Sequence, residues 1–197
     1  MNFQQTRTRL KKLNLEVFTT QEFKNIFGFD EKSAAVKLTR YKNAGYLVSP
    51  KRGVYYLADE PVDKFKIANR LYFPSYVSLD SILSARGIIP EVVYTITSVT
   101  TKASREFSDA QTVYKYYKIK KGAFLGYQKE GERLVATSEK ALVDYLYFVS
   151  QGKRALNERL NLEKINRQQV FYYAKFFASK RLNNLLRRLF DVGAKQA

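Results

Sequence analysis

Residues 30–57 read DEKSAAVKLTRYKNAGYLVSPKRGVYYL, and this stretch decides the fold. Asp30 is suited to cap a helix, because its carboxylate can accept from the first unpaired backbone amides. The helix it opens runs from Glu31 to Ala44, and Gly45 stops it. At about 100° per residue, Ala34, Ala35, Leu38 and Tyr41 fall on one side and are expected to pack inward. Ser33, Val36, Lys37, Arg40 and Asn43 fall on the other side, with Lys32 at the flank. Tyr46-Leu47-Val48 then reads as a strand, Ser49-Pro50-Lys51-Arg52-Gly53 as a turn, and Val54-Tyr55-Tyr56-Leu57 as the returning strand.

Two more helices precede this unit. The first covers about Asn2 to Leu13. The second starts in Phe18-Thr19-Thr20-Gln21-Glu22-Phe23, where Thr19 or Thr20 can cap it and Glu22 faces the positive helix end. Phe23, Ile26 and Phe27 give it an apolar side, and Gly28 ends it. Three helices followed by a hairpin is the order of a winged helix-turn-helix. Its recognition helix needs small polar and cationic side chains that reach into the major groove. Arg can take guanine with two bonds, Asn can take adenine, and Lys anchors phosphate. The expected DNA-contact set is therefore Lys32, Ser33, Val36, Lys37, Arg40 and Asn43 on the helix, with Lys51 and Arg52 on the turn. Two blander readings compete: a merely solvated helix face, and a winged helix that binds protein instead of DNA.

Composition supports an anionic partner. Lys plus Arg is 35 and Asp plus Glu is 18, for a net charge of +17. Residues 1–70 carry +7, residues 71–150 carry +2 and residues 151–197 carry +8, so the two ends are basic around a nearly balanced middle. With 45% apolar residues the chain can build a core. It contains no Cys and no His. Disulfides, Cys/His zinc sites, Cys nucleophiles and His-based triads are thereby excluded. Met1 to Leu13 lacks the apolar core of a signal peptide, and no stretch of about 18 apolar residues suggests a membrane span. The cytoplasm is the expected compartment.

The rest of the chain mixes strands and helices to about residue 150 and reads as helical and basic over 151–197. A helix follows Pro61, and a short one over Ile82–Ala85 is capped by Ser78 or Asp80. Val92–Val99, Thr112–Ile119, Phe124–Tyr127 and Leu134–Ala136 read as strands. Ser138 is expected to cap a helix through Val149, with Ala141, Leu142, Tyr145, Leu146 and Val149 buried. Lys140 and Asp144 sit four apart on its flank, where an exposed pair is worth a few tenths of a kcal/mol. In the last helix Leu182, Leu185, Leu186 and Leu189 repeat at helical spacing, opposite Lys180, Arg181, Arg187 and Arg188. That basic side reads as a solvated face, or as a partner or nucleic-acid surface.

Three segments together carry a family resemblance: Tyr41–Leu57, Tyr76–Pro90 and Ala136–Asp144. In this order they resemble the AbiEi family of antitoxins and transcriptional regulators from type IV toxin–antitoxin (abortive infection) systems, over roughly residues 5–150. The resemblance implies an α+β protein, with a winged helix-turn-helix domain at 1–58 and a mixed α/β antitoxin domain with a helical C-terminus at 59–197. It implies autorepression through inverted repeats in the protein's own promoter, and counteraction of a nucleotidyltransferase-like toxin. No cofactor is expected. A monomer or weak dimer that binds cooperatively would suit inverted repeats. Residues 151–197 match nothing in that family.

Two other functions compete. One is a winged-helix regulator with an effector- or partner-binding C-terminal domain and no toxin. The other is a carboxylate-dependent nuclease, for which Glu139, Lys140 and Asp144, with Asp80, are the candidate residues. Metal sites of that kind need two or three convergent carboxylates, and here the spacing brings only one beside the Lys. A structural role for Glu139 at the helix start and for Asp144 as a tie is the stronger reading, so no catalytic or metal-binding residue is expected.

Overall fold

The computed structural model describes residues 2–192. Among these residues the chain forms eight α-helices and two sheets, an α+β architecture. The N-terminal part comprises α1 (Phe3–Lys12), β1 (Val17–Thr19), α2 (Thr20–Phe27), α3 (Glu31–Asn43), β2 (Leu47–Lys51) and β3 (Val54–Leu57). The remainder comprises α4 (Lys64–Leu71), β4 (Ser75–Val77), α5 (Asp80–Ala85), β5 (Ile96–Thr100), β6 (Arg105–Ser108), β7 (Val113–Lys118), β8 (Tyr127–Glu130), β9 (Arg133–Ala136), α6 (Ser138–Ser150), α7 (Arg167–Lys175) and α8 (Lys180–Val192).

Local chemistry fixes the first three helices. Asn2, Thr19 and Asp30 cap them, each accepting a backbone amide three residues on. At α2 the cap is reciprocal, because Glu22 also accepts the Thr19 amide at 2.7 Å. Gly28 ends α2 in the left-handed conformation. Leu10, Phe18, Phe23, Ala34, Leu38, Tyr41, Leu47 and Leu57 form a small core of their own. Strand β1, which the sequence pattern hides inside the run leading to α2, pairs with β3 and gives a three-stranded sheet of order β1-β3-β2.

Glu22 also ties this part to the next, through an ion pair with Arg70 at 2.8 Å. Burial acts to raise its pKa, but the Thr19 amide and hydroxyl and the Arg70 charge outweigh that and hold it below the usual value. A depressed folded-state pKa contributes stability that is present above the unfolded value and is lost as pH falls through the folded one. Glu22→Gln should therefore lower the urea midpoint at neutral pH. The gap from wild type should narrow by about pH 3, below the ordinary Glu pKa of about 4.3. A gap equal at both pH values would refute this.

The second sheet has six strands in the order β6-β7-β5-β4-β9-β8 and mixes parallel and antiparallel pairs. Helices cover both faces, which is why all five residues of β5 are buried. On one face α4 accepts the Tyr116 hydroxyl at the Ala68 carbonyl, 2.6 Å away. On the other, α6 packs with α5, α7 and α8, and the Tyr117 ring meets Phe148.

The structure corrects several expected details. Thr137, not Ser138, caps α6 by accepting the Lys140 amide. No side chain caps α5; the Ser78 hydroxyl instead donates to Asp144 at 2.8 Å, and Asp80 pairs with Arg154. Residues 151–166 are not helical. Their backbone is anchored by other means: the Tyr145 hydroxyl donates to the Ala155 carbonyl at 2.7 Å and accepts the Asn157 amide at 2.8 Å. The β8 strand lies three residues later than the Phe124–Tyr127 run that reads as a strand.

Gly126 stands at a tight approach before β8. Its φ is +74°, and a Cβ there would lie 2.7 Å from the Tyr173 ring and 3.0 Å from Lys140 Cγ. Gly126→Ala combines left-handed strain with overpacking and should cost about 2–4 kcal/mol. Chemical denaturation reads this directly, and a loss below about 1 kcal/mol would show that the contact relaxes easily.

Candidate nucleic-acid interface

Helix α3 turns Ala34, Leu38 and Tyr41 into the N-terminal core. The Tyr41 hydroxyl lies 3.3 Å from the buried Thr6 hydroxyl and fixes the helix against α1. Ala35 is exposed, so the inward stripe is narrower than the spacing implies. The outward side carries exposed Lys32, Ser33, Val36, Arg40 and Asn43. Val36 is 60% exposed among these polar and cationic side chains. Lys32 and Arg40 form no ion pair among the described residues, whereas neighbouring Lys24 pairs with Glu31 at 3.6 Å.

Two members of the expected set are engaged locally. The Ser33 hydroxyl and amide both donate to Asp30, and these bonds hold the Asp30 carboxyl below the usual range. Lys37 is half-buried, with its ammonium 5.3 Å from the Phe29 ring centre and 5.8 Å from that of Tyr41. It therefore sits at the flank of the outward face.

The β2–β3 hairpin separates its two cations. Arg52 is exposed at the turn. Lys51 is not directed outward as the turn reading expects. Its ammonium donates to the Leu71 carbonyl at 2.8 Å and lies over the Tyr72 and Phe107 rings, at 5.9 and 5.4 Å. Burial, and then repulsion from Lys102 and Arg105, lower its pKa. Lys51 thus links the hairpin to the large sheet. Lys102 and Arg105 carry no motif, and only the fold brings them to the hairpin.

The other candidates lie elsewhere. Lys180, Arg181, Arg187 and Arg188 are exposed on α8, opposite the buried Leu182 and Leu186. They form no ion pair among the described residues, while Asp191 on the same helix pairs with Arg167 at 2.8 Å. Lys140 and Asp144, expected on an exposed flank, are fully enclosed, with relative exposures of 1% and 0%. Asp144 accepts from Lys140, from Ser78 and from the Tyr76 hydroxyl at 3.1 Å. Burial pushes the Asp144 carboxyl up and the Lys140 amine down. Glu139 turns away and accepts the Asn166 amide at 3.3 Å. Among the described residues no group of three acidic side chains converges on a metal position. No helix among them is long and apolar enough to cross a membrane.

Comparison of the chain with protein-family models and with curated proteins gives no match.

Proposed function

We propose that this chain binds double-stranded DNA through its N-terminal part, acting as a winged helix-turn-helix whose recognition helix is α3 and whose wing is the β2–β3 hairpin. The observation that carries the reading is the outward side of α3, where Lys32, Arg40, Asn43 and Val36 are exposed on a helix whose Ala34, Leu38 and Tyr41 are buried in the core. Arg40 and Asn43 have the donor geometry for base edges, Lys32 suits phosphate, and Val36 suits a thymine methyl. Arg52 adds a phosphate contact from the wing.

In keeping with the sequence resemblance, we read the chain as an antitoxin of a type IV toxin–antitoxin system that represses its own operon. Residues 59–197 would then counteract the toxin. Footprinting on the DNA upstream of the gene tests the repressor role. The expected result is protection of two inverted half-sites about one or two helical turns apart. Co-expression with the neighbouring reading frames tests the antitoxin role. A toxic neighbour rescued by this chain supports it. A neighbour that is toxic but not rescued, or no toxic neighbour at all, leaves the plain regulator.

A further inference from the structure

Next to the wing, the large sheet presents a second cationic surface. Lys102 extends from the loop after β5 and donates to the Phe73 carbonyl at 2.6 Å. Its ammonium lies 5.7 Å from the Tyr72 ring, the ring that Lys51 also approaches. The Tyr72 hydroxyl in turn donates to the Ala103 carbonyl at 3.1 Å. Lys51, Tyr72, Phe73, Lys102 and Ala103 therefore form one junction, and β2 lies against β6 beside it.

The alternation of β6 sorts its charges by face. Arg105 is in register with Tyr116, whose hydroxyl meets α4, so Arg105 belongs to the face that carries the N-terminal part. Glu106 belongs to the opposite face and pairs there with Lys115 at 3.3 Å. The nearby carboxylates are already occupied: Glu22 by Arg70, and Asp109 by the Tyr56 hydroxyl at 2.9 Å. Arg52, Lys102 and Arg105 are exposed and form no ion pair among the described residues. Beside them Phe73 is 71% exposed. A cluster of one sign raises the local concentration of anions, and an apolar ring within it gains from a partner with apolar surface as well as charge.

We propose that the wing is composite: Arg52 from the hairpin and Lys102 and Arg105 from the large sheet bind DNA phosphates together, and Phe73 packs on the sugar edges of the minor groove. This inference rests on the DNA-binding reading of α3. A duplex supplies both requirements, since its phosphates match the cations and its minor groove accepts apolar side chains. These contacts are independent of sequence. They lengthen the footprint and fix the orientation of the large sheet relative to the DNA. Lys51 serves the surface indirectly, by holding the hairpin against the 71–73 segment.

The probe is a fluorescein-labelled, mixed-sequence duplex of about 30 base pairs, titrated by anisotropy over a range of salt concentrations. Lys102→Ala with Arg105→Ala removes two phosphate contacts, so the log–log salt slope should fall by about 1.8 in magnitude. Phe73→Ser should weaken binding severalfold with the slope unchanged. Lys153→Ala with Lys164→Ala serves as a charge-matched control. If wild type binds and the Lys102/Arg105 variant keeps its affinity and slope, the composite wing is overturned while the α3 reading stands. The composite wing is likewise overturned if the control loses as much slope as the Lys102/Arg105 variant. A wild type that binds no duplex at any salt overturns the DNA reading and the composite wing with it.

Discussion

Asp144→Ala is expected to cost about 3–5 kcal/mol of folding stability, the range for removing one partner of a buried ion pair. The carboxylate has no solvent exposure and accepts from three donors, Lys140, Ser78 and Tyr76. Alanine in its place leaves the Lys140 ammonium enclosed with no counter-charge, together with two hydroxyls whose acceptor is gone. Each stranded group retains its desolvation cost. Native domains are stable by only about 5–15 kcal/mol, so the variant should lie close to unfolding. Urea denaturation measures the loss. A second variant keeps the test readable if the first does not fold: Lys140→Met with Asp144→Leu removes both charges and should recover the part of the loss that the stranded Lys140 charge causes, while the two hydroxyls stay without their acceptor. A loss below about 1 kcal/mol for Asp144→Ala would show that the Lys140 charge finds water, contrary to the enclosure described.

Arg40→Ala should weaken binding to the cognate upstream DNA about 10- to 100-fold, the effect of one lost bidentate base contact. It should also flatten discrimination between cognate and shuffled duplexes. Lys32→Ala should behave differently. A phosphate contact carries no sequence information, so both duplexes should lose alike and the salt slope should fall by about 0.9. The contrast matters more than either loss, because general loss of charge would give the Lys32 pattern at both positions. Exposure of both side chains predicts unchanged thermal stability in either variant. Arg40→Ala with wild-type affinity and discrimination would remove α3 from the interface.

The part of the fold that can be read from sequence is the part governed by local chemistry. Asp30, Thr19, Gly28 and Gly45 mark helix boundaries through hydrogen bonds and backbone angles set within a few residues. Strands β1, β4 and β6 escape because three or four residues carry too little alternation to register, and β1 and β4 also pair only with strands far along the chain. Helical spacing also places side chains better than it states their surroundings. It puts Lys140 and Asp144 on one side of α6, but Tyr76 on β4, Ser78 just after it and the Phe177 ring close over that side and make it interior. It places Ala35 inward, although the core reaches only the Ala34, Leu38 and Tyr41 stripe.

The candidate interface divides along the same line. The outward residues of α3 follow from periodicity alone. The fate of Lys51 does not, because a turn position gives no sign of which carbonyl a four-carbon side chain will reach. Lys102 and Arg105 have no signal at all, since their meaning comes from the contact between β2 and β6. The +8 carried by residues 151–197 is partly located: Lys180, Arg181, Arg187 and Arg188 line one side of α8 above a buried leucine stripe.

The most direct test of DNA recognition is a pair of anisotropy titrations of the wild-type chain at physiological salt. One uses the duplex upstream of its gene, and the other a shuffled duplex of the same composition. Upstream binding should be tighter by about 10³-fold or more, with steep loss as salt rises. Equal affinity for the two duplexes, or no binding to either, would contradict sequence-specific recognition by α3.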